Sequence, residues 1–529
     1  AVVGLLLMAI RAGSAQSAET PSSEVYPDVI QSSGITFQHK SAPEKKYVLE
    51  SMAGGLAVFD YNNDNLPDIY FVNALTVDTA YDPKSAPSVL YKNLGGLKFE
   101  DVTETSGLAY PGWGMGACTA DIDGDSWQDV YVTTVGPDRL YRNRGDGTFE
   151  DITDKSGIVA DGWSTGCGWA DYDRDGDLDL FVSRYVKVDL QSLPEFGKGK
   201  FCNYNGVEVQ CGPRGLPGST DFFFRNKGDG TFEEVAEKIG VDDPNEYFGL
   251  GVSWFDYDSD GWIDLFVAND AGPNFLYHNQ GDGTFIDEAF PMGVAVSEDG
   301  AEQACMGVAI GDYKNEGRFS IFVTNFSQEN NALYYNDTGY FTDMSFRSGT
   351  AAPSLPFVSW GTTFFDYDND RWEDLFVVSG HVYPQMETAP TGPSEKYLQR
   401  KTFYRNLRDG TFEEVAEQLS TAFMERRASR GMAVADFDND GGLDMIAVDL
   451  DGLPQLFHNQ VPDRGNWLTV KLEGSGKMTD AIGAVVTLKT GDEIQTRLVR
   501  SGSSYISQED MRLHFGLGEV DKADRVVVR

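Results

Sequence analysis

The sequence predicts an all-β fold, a seven-bladed β-propeller followed by a small β domain. The first observation is a nine-residue acidic loop with carboxylates at alternating positions, as in DYDRDGDLD at residues 171–179. The second is recurrence, because seven copies of this loop occur and each is followed by an apolar run typical of a strand. Units of roughly 50 to 80 residues with several short strands and Gly/Asn/Asp turns are typical of propeller blades.

The loop at residues 171–179 has the composition of a calcium site. Alternating acidic residues in a tight loop direct several carboxylates towards one point, which only a cation makes tolerable. Flexible oxygen ligands in this number suit calcium better than zinc or copper. An EF-hand is excluded, because its twelfth position needs a bidentate Glu and this chain has Val182 there, without helical flanks. The prediction is a calcium loop between two strands.

Five further loops keep the acidic pattern, and they begin at Asp60, Asp121, Asp256, Asp366 and Asp436. The copy at Asp312 is degenerate, with Lys314, Glu316 and Ser320 at ligand positions. A glycine lies five residues before the first Asp of every copy: Gly55, Gly116, Gly166, Gly251, Gly307, Gly361 and Gly431. This regularity makes the degenerate copy a true repeat. We expect no cation there, with the Lys314 ammonium in its place.

The repeats resemble the FG-GAP/VCBS repeats of integrin α-subunit propellers and of many bacterial secreted proteins. The tail resembles an ASPIC/UnbV domain in Asn466-Trp467-Leu468, Gly502-Ser503-Ser504-Tyr505 and His514-Phe515-Gly516, and the cartilage acidic protein family shows the same pairing. The resemblance covers nearly the whole chain after about residue 50. It implies structural calcium and, by similarity to integrin α, protein ligands at one face of the ring.

The family pattern implies the individual ligands, with side chains at loop positions one, three, five and nine and a backbone carbonyl at seven. Carried over to the six intact loops, it implies Asp60, Asn62, Asp64 and Asp68; Asp121, Asp123, Asp125 and Asp129; Asp171, Asp173, Asp175 and Asp179; Asp256, Asp258, Asp260 and Asp264; Asp366, Asp368, Asp370 and Asp374; and Asp436, Asp438, Asp440 and Asp444. The expected cofactor is therefore Ca²⁺, about six ions per chain. Position six, where glycine eases a left-handed turn, departs from the pattern as Asn65, Ser126 and Arg371.

Composition bounds the partners and the compartment. A net charge of −41 argues against nucleic acid and anionic membranes as partners. Residues 1–18 look like the remnant of a secretory signal peptide, and their apolar run is too short for a membrane span. The chain has no initiator Met, so we expect a fragment at this end. The predicted product is secreted, or periplasmic or cell-surface if bacterial.

The predicted domains are the signal remnant at 1–18, the propeller at 19–460 and an ASPIC/UnbV domain at 461–529. Ser33-Gly34-Ile35 resembles the segments that close the repeats, so the N-terminal segment is expected to add a strand to the last blade and close the ring. The family pattern continues beyond Val528-Arg529, which predicts a tail domain without its final strand.

The five cysteines fit an oxidising compartment. Cys202 and Cys211 bracket a short loop and are predicted to form a disulfide. Cys118 and Cys167 either pair across neighbouring inner strands or remain two buried thiols, and Cys305 is expected to be buried and free.

No catalytic constellation is recognisable, and the chain is expected not to be an enzyme. The sequence has no nucleophile elbow, HExxH motif or phosphate loop. His278 and His458 occupy a repeat position held elsewhere by Lys, Arg or Tyr and are interpreted as scaffold residues. Trp127, Trp262 and Trp372 share loop position seven, where packing between blades and sugar stacking are both open.

The insertions are where binding specificity is expected, with tolerated surface decoration as the alternative. Long ones occur at about 184–221 and 381–400, and a shorter one lies near 74–88. The sequence thus predicts an extracellular binding or adhesion module for protein ligands, stabilised by calcium. The alternative is a carbohydrate-active protein, either a lectin or a polysaccharide lyase, which would take a glycan ligand.

Overall fold

The structure is a computed structural model that describes residues 24–82, 85–390, 392 and 396–529. The predicted signal remnant at 1–18 lies outside these residues. The described chain is mostly β, with seven antiparallel sheets between residues 56 and 457 and smaller sheets in the tail. The predicted all-β class is therefore confirmed, and the four-stranded sheets are consistent with propeller blades.

Each of the seven sheets uses strands that follow one another in the chain, and the third also encloses a small hairpin. Sheet 1 comprises β1 (Leu56–Phe59), β2 (Asp68–Phe71), β3 (Val89–Asn93) and β4 (Phe99–Asp101), and sheet 2 comprises β5 (Gly114–Ala120), β6 (Asp129–Thr134), β7 (Arg139–Asn143) and β8 (Phe149–Asp151). Sheet 3 comprises β9 (Ser164–Ala170), β10 (Asp179–Arg184), β13 (Phe222–Asn226) and β14 (Phe232–Glu234). The hairpin between its second and third strands comprises β11 (Asn203–Tyr204) and β12 (Val207–Glu208). Sheet 4 comprises β15 (Gly249–Phe255), β16 (Asp264–Asn269), β17 (Phe275–Asn279) and β18 (Phe285–Asp287); sheet 5 comprises β19 (Val308–Gly311), β20 (Ser320–Val323), β21 (Ala332–Asp337) and β22 (Tyr340–Asp343). Sheet 6 comprises β23 (Ser359–Phe365), β24 (Asp374–Ser379), β25 (Thr402–Asn406) and β26 (Phe412–Glu414); sheet 7 comprises β27 (Ser429–Ala435), β28 (Asp444–Asp449) and β29 (Gln455–Phe457).

The core lies between neighbouring sheets. The first and second strands of every sheet are buried along their whole length, which explains their continuous apolar runs. One apolar cluster, for example, joins Phe59 and Tyr70 of sheet 1 to Val130 of sheet 2. The short fourth strands are largely exposed and form the outer edge.

The first strands of the seven sheets form a closed ring. Each contacts the first strand of the next sheet, and β27 of sheet 7 contacts β1 of sheet 1. At the closure, Gly431 N donates to Gly54 O at 3.1 Å; between sheets 1 and 2, Gly55 N donates to Met115 O at 2.9 Å. The repeated glycine is required by this approach, because a Cβ on Gly55 would lie 2.7 Å from the Cα of Gly116.

The N-terminal segment completes sheet 7, as the sequence predicts. Asp28 forms a bridge with Phe457 of β29, and Val29 N donates to Leu456 O at 2.8 Å. A helical turn and a left-handed Gly34 follow, in the same order as after the outer strand of sheet 1. The two ends of the repeat region are therefore joined in one sheet, which closes the ring at the seam.

Single helical turns connect the sheets. The α-helices are α1 (Ile30–Ser33), α2 (Thr103–Ser106), α3 (Thr153–Ser156), α4 (Ala236–Ile239), α5 (Ala289–Met292), α6 (Ser345–Ser348), α7 (Ala351–Ser354), α8 (Ala416–Leu419) and α9 (Thr421–Met424), and 3₁₀ turns lie at Val48–Ser51, Val77–Thr79 and Pro384–Glu387. None of the helices in the described ranges has the length and apolar character needed to cross a bilayer.

The tail forms two small sheets. Strand β30 (Asn466–Val470) pairs with β33 (Leu513–Gly518), and β31 (Val485–Thr490) lies between β32 (Glu493–Leu498) and β34 (Arg525–Val528). Its segment 500–508, which we call the plug, enters the centre of the ring. Gln508 bridges to Ala57 of sheet 1 and Ser504 bridges to Val308 of sheet 5, while the Tyr505 hydroxyl donates to Met52 O at 2.5 Å. The plug therefore fills the space that the first strands enclose.

The two long insertions meet on the face opposite the acidic loops. Antiparallel strands place the loop between the first and second strands on one face, and the connection from the second to the third on the other. Tyr204 of the third-repeat insertion lies 5.2 Å from His381 and 5.5 Å from Tyr383 of the sixth-repeat insertion, measured between ring centroids. The predicted disulfide Cys202–Cys211 is confirmed within the third-repeat insertion.

The other cysteines settle a question that the sequence leaves open. Cys118 and Cys167 form a disulfide that joins the first strands of sheets 2 and 3. Cys305 is free and buried, as expected.

Candidate metal centres

The ninth position of each intact loop is the first residue of the second strand. In the first loop this residue, Asp68, is fully buried, and its carboxylate accepts hydrogen bonds from Tyr61 N at 3.1 Å and Asn93 N at 2.7 Å. The second loop repeats the pattern with Asp129. The strand thus holds one carboxylate rigidly at the mouth of the loop.

The first position closes the loop. The Asp60 carboxylate accepts from Asp64 N at 3.0 Å and from Asn65 N at 2.8 Å. Position six is left-handed whether or not it is glycine, since φ is 65° at Asn65 and 85° at Arg371. The three departures from glycine therefore keep the turn at some conformational cost.

The loops bring the predicted ligands together. Carboxylate oxygens lie within 4.8 Å of one another in four sets: Asp121, Asp123 and Asp129; Asp171, Asp173 and Asp179; Asp256, Asp258 and Asp264; and Asp366, Asp368 and Asp374. In the first loop, burial and then the nearby charges of Asp60 and Asp64 raise the pKa of Asp68. In the seventh loop, burial and then the charges of Asp444 and Asp440 raise the pKa of Asp436. Side chains from positions one, three and nine thus surround a single point in several loops.

These sites fit a cation. Three carboxylate oxygens at predicted ligand positions are buried without a hydrogen-bond partner among the described residues: Oδ1 of Asp256, Oδ1 of Asp368 and Oδ1 of Asp438. A buried carboxylate oxygen without a partner is costly, and a hard cation with oxygen ligands would satisfy it. The residues that would hold Ca²⁺ are therefore the aspartates, and Asn62, of these loops.

Burial raises the pKa of the clustered carboxyls. The pKa rises to about 8 in Asp68, to about 7 in Asp264 and to about 6 in Asp171. Neighbouring loop carboxylates add to the rise in Asp68 and Asp171, whereas His278 opposes it in Asp264. Removal from water is the largest cause in each case. Charged carboxylates therefore oppose the folded state unless a positive charge offsets them.

The degenerate loop keeps its shape but not its acidic cluster. Asp312 accepts from Glu316 N at 2.9 Å and from Gly317 N at 2.7 Å, as the first position does elsewhere. The predicted role of Lys314 is wrong, because its ammonium lies 3.6 Å from the ring centroid of Tyr335 and no ion pair in the described chain joins it to Asp312. Aromatic contact holds this lysine away from the loop centre.

Comparison with known proteins identifies both parts of the chain. The FG-GAP-like repeat family matches residues 60–132, 121–182, 256–323 and 397–447, and the ASPIC and UnbV family matches residues 474–529. The chain therefore contains FG-GAP-like repeats and an ASPIC/UnbV domain. Human cartilage acidic protein 1 is 28% identical over 346 residues, which is 63% of this chain and 48% of that protein. The Xenopus tropicalis protein is 27% identical over 364 residues, which is 63% of this chain and 52% of that protein. The chain thus spans about half the length of these curated relatives.

Solved structures with similar chain traces include two lectins. A lectin from Agrocybe aegerita, described as recognising non-reducing terminal N-acetylglucosamine, has a TM-score of 0.39 and 15% identity and covers 77% of this chain and 94% of its own. The BP39L lectin from Burkholderia pseudomallei has a TM-score of 0.46 and 11% identity and covers 78% of this chain and 97% of its own.

The third strands of the FG-GAP-like repeats contribute to the loops in a way that sequence reasoning missed. The Asn at the end of each third strand binds back to the preceding sheet, as when Asn143 Nδ2 donates to Tyr61 O at 2.8 Å. The residue before this Asn contacts the loop acids: Arg225 lies 2.8 Å from Asp173, and His278 lies 3.1 Å from Asp264. The available signal was the recurring four-residue pattern of the third strands, such as Leu-Tyr-Arg-Asn at 140–143 and Leu-Tyr-His-Asn at 276–279.

The loops are also linked to one another around the ring. Asn63 Nδ2 donates to Ser126 O at 2.9 Å, and Asn439 Nδ2 donates to Asn65 O at 3.0 Å. In the third loop, the Arg174 guanidinium lies 3.9 Å from the Trp262 ring of the next loop. For Trp262, packing between sheets is therefore the observed arrangement.

The ASPIC/UnbV domain covers the face that carries these loops. Arg512 donates to Asn439 Oδ1 at 2.8 Å, and His514 Nε2 lies 2.6 Å from Asn369 Oδ1. Lys477 pairs with Asp177, position seven of the third loop, at 2.7 Å. The acidic loops thus lie between the ring and the tail.

Proposed function

We propose that this chain is a secreted, calcium-binding protein built as a seven-bladed FG-GAP/VCBS propeller, and that it acts as an extracellular binding module for a protein ligand. The calcium is structural. Family membership, the carboxylate clusters and the unpartnered loop oxygens support calcium, and two disulfides support export to an oxidising compartment. The module is proposed to bind rather than to catalyse.

The observation that carries the proposal is the unequal use of the two faces. The tail covers the loop face and the plug fills the centre, so neither offers an open ligand surface. The opposite face carries both long insertions, which contact each other through Tyr204, His381 and Tyr383. Loops joined on a rigid scaffold are a common solution for specific binding.

A cleft beside the third-repeat insertion supports the same face. It has a volume of about 310 Å³, and its apolar walls come from two parts of the chain: Val48 and Leu49, and Val186, Val188, Leu193 and Leu216. Lys46 and Lys187 lie at the same cleft and are about half exposed. Both lysines pair with acids of the chain, Glu44 and Glu246, so the cleft itself is suited to an apolar side chain of a protein ligand.

A glycan ligand is the second candidate. Tyr204, Tyr383 and Phe326 form a half-buried aromatic group on the insertion face, with ring centroids 5.5 to 6.3 Å apart. Aromatic faces of this kind would also suit stacking against a sugar ring.

The test compares substitutions on the insertion face with one on the outer rim. Val188→Glu and Leu193→Glu would place charges in the cleft, whereas Tyr340→Ser changes a rim residue that is 64% exposed. Binding would be measured against arrays of purified extracellular matrix proteins and of glycans, with calcium present. We expect protein binding that the cleft variants abolish and the rim variant keeps.

Glycan binding without protein binding would favour the second candidate. Binding that survives both cleft variants would contradict the assignment of the ligand face. Equal melting temperatures for the variants and the parent chain would show that a loss reflects the surface and not unfolding.

A further inference from the structure

The second acidic loop differs from the other intact loops in its contact with the tail. The Thr479 hydroxyl donates to Asp121 Oδ2, and Asp480 Oδ2 accepts from Asp121 N at 2.6 Å. The carboxylate and the backbone of the first ligand are therefore both held by residues more than 350 positions away. Asp121 itself is 1% exposed.

Among the described residues, the fourth loop shows the same first ligand position without hydrogen bonds from the tail. Asp256 Oδ2 accepts from Gly261 N at 3.0 Å, and its Oδ1 has no partner among the described residues. No hydrogen bond in the described chain joins Asp256 to the tail. The two loops share an otherwise similar sequence, so they form a natural pair for comparison.

The sequence of the second loop is adapted to this contact. Position four is Gly124, whereas the other intact loops have Asn, Arg or Ser there. Gly124 has φ of 75°, and a Cβ on it would lie 2.7 Å from the Cα of Lys477. The tail backbone occupies the space that a side chain takes in the other loops.

We propose that the tail segment 477–480 is a structural part of the second cation site, in which Thr479 and Asp480 position the first ligand, Asp121. Cation binding at this loop and docking of the tail then stabilise each other, because two linked equilibria must influence each other equally. The inference rests on the proposed calcium function and adds residues to it that lie outside the repeat. Thr479 and Asp480 are positioning residues that act through Asp121.

The first experiment alters the tail and observes the loops. Hydrogen exchange of peptides covering residues 121–130 and 256–265 would be followed across a calcium titration of the full chain. For Asp480→Asn we expect the calcium midpoint of the second loop to rise about tenfold, near the low end of what a hydrogen bond to a charged group contributes. Thr479→Val should give a shift in the same direction, and the fourth loop should not shift. Asp492→Asn, an exposed tail aspartate, is the charge-matched control.

The second experiment alters the loops and observes the tail. Asp125→Ala removes a ligand at position five of the second loop, and Asp260→Ala removes the equivalent ligand of the fourth loop. Both carboxylates accept the same hydrogen bond, from Trp127 N at 2.9 Å and from Trp262 N at 2.7 Å. In calcium we expect faster exchange of residues 474–482 only for Asp125→Ala.

Unchanged second-loop midpoints in both tail variants, or equal tail exchange in both loop variants, would overturn the inference. Failure of the proposed function looks different: neither loop peptide of the parent chain would respond to calcium at all. That outcome would reject both proposals. If the loops respond to calcium but the tail variants and the tail exchange show no coupling, only the present inference is rejected.

Discussion

The degenerate fifth loop and the six intact loops have the same backbone turn but different side chains at the ligand positions. Asp312 accepts the same two loop amides as Asp60 does, and Asn315 donates to Arg371 O of the next loop at 3.0 Å. Yet its other ligand positions carry Lys314, Glu316 and Ser320. The first Asp and the left-handed sixth position therefore suffice for the turn, whereas the proposed cation would need the acids at positions three, five and nine.

The largest effect is expected when the cations are removed from all the intact loops at once. If calcium is present at about ten times its Kd, each site contributes about 1.4 kcal/mol to folding stability, so the intact loops together contribute several kcal/mol. We expect EDTA to lower the melting temperature sharply, as measured by calorimetry. A melting temperature that EDTA leaves unchanged would show that the loops are not structural calcium sites.

Changing one intact loop towards the sequence of the degenerate loop should cost less folding stability than removing all the cations. Asp179 is fully buried and accepts from Asn226 N at 2.8 Å. Asp179→Ser places the fifth-loop residue in the third loop, and we expect a loss of about 2 kcal/mol in calcium, because a hydrogen bond to a charged group contributes about 1.5 to 3 kcal/mol. Denaturant unfolding gives the value.

Ser320→Ala is the matched control for that change. Its hydroxyl accepts from Asn336 N at 3.4 Å, a weak bond, so we expect a loss below about 1 kcal/mol. Equal losses at the two positions would mean that position nine acts only through packing.

The pH dependence should have opposite signs with and without calcium. In the metal-free chain the folded pKa of Asp68 is about 8, well above that of an unfolded Asp, so the folded state binds more protons between roughly pH 4 and 8. The contribution of Asp68 to folding stability is fully present below the pKa of an unfolded Asp and is lost as the pH rises through about 8.

We therefore expect the melting temperature in EDTA to fall from pH 5.5 to pH 8. In calcium it should rise over the same interval, because cation binding requires deprotonated ligands. Thermal scans at matched ionic strength would measure both. The same slope in both conditions would contradict the idea that cations offset the buried charges.

Rebuilding the fifth loop should have a small effect of the opposite sign. The triple change Lys314→Asp, Glu316→Asp and Ser320→Asp restores the acidic pattern on a backbone that already has the right turn. Isothermal titration calorimetry should show one additional calcium ion, with a stability gain near 1.4 kcal/mol at tenfold Kd. An unchanged stoichiometry would show that side chains around the loop, such as Arg318, also exclude the cation.

The sequence by itself determined the local features of this protein. A nine-residue loop sets its own shape through short-range bonds, as between Asp60 and Asn65, so its repeat is readable from residue spacing. The repeated glycine and the closing N-terminal segment were also readable, because each copy of a repeat must meet its neighbour in the same way.

Only the tertiary structure decided how distant segments meet. It joined Cys118 to Cys167, brought Tyr204 against His381, and placed Asp480 on Asp121. No periodicity marks such pairs, since the tail is not a repeat and its contacts depend on the closed ring that exists only after folding. The clustered carboxylates could therefore be predicted from the sequence. The covering of their loops by the tail could not, because it depends on the closed ring that brings these loops to one face.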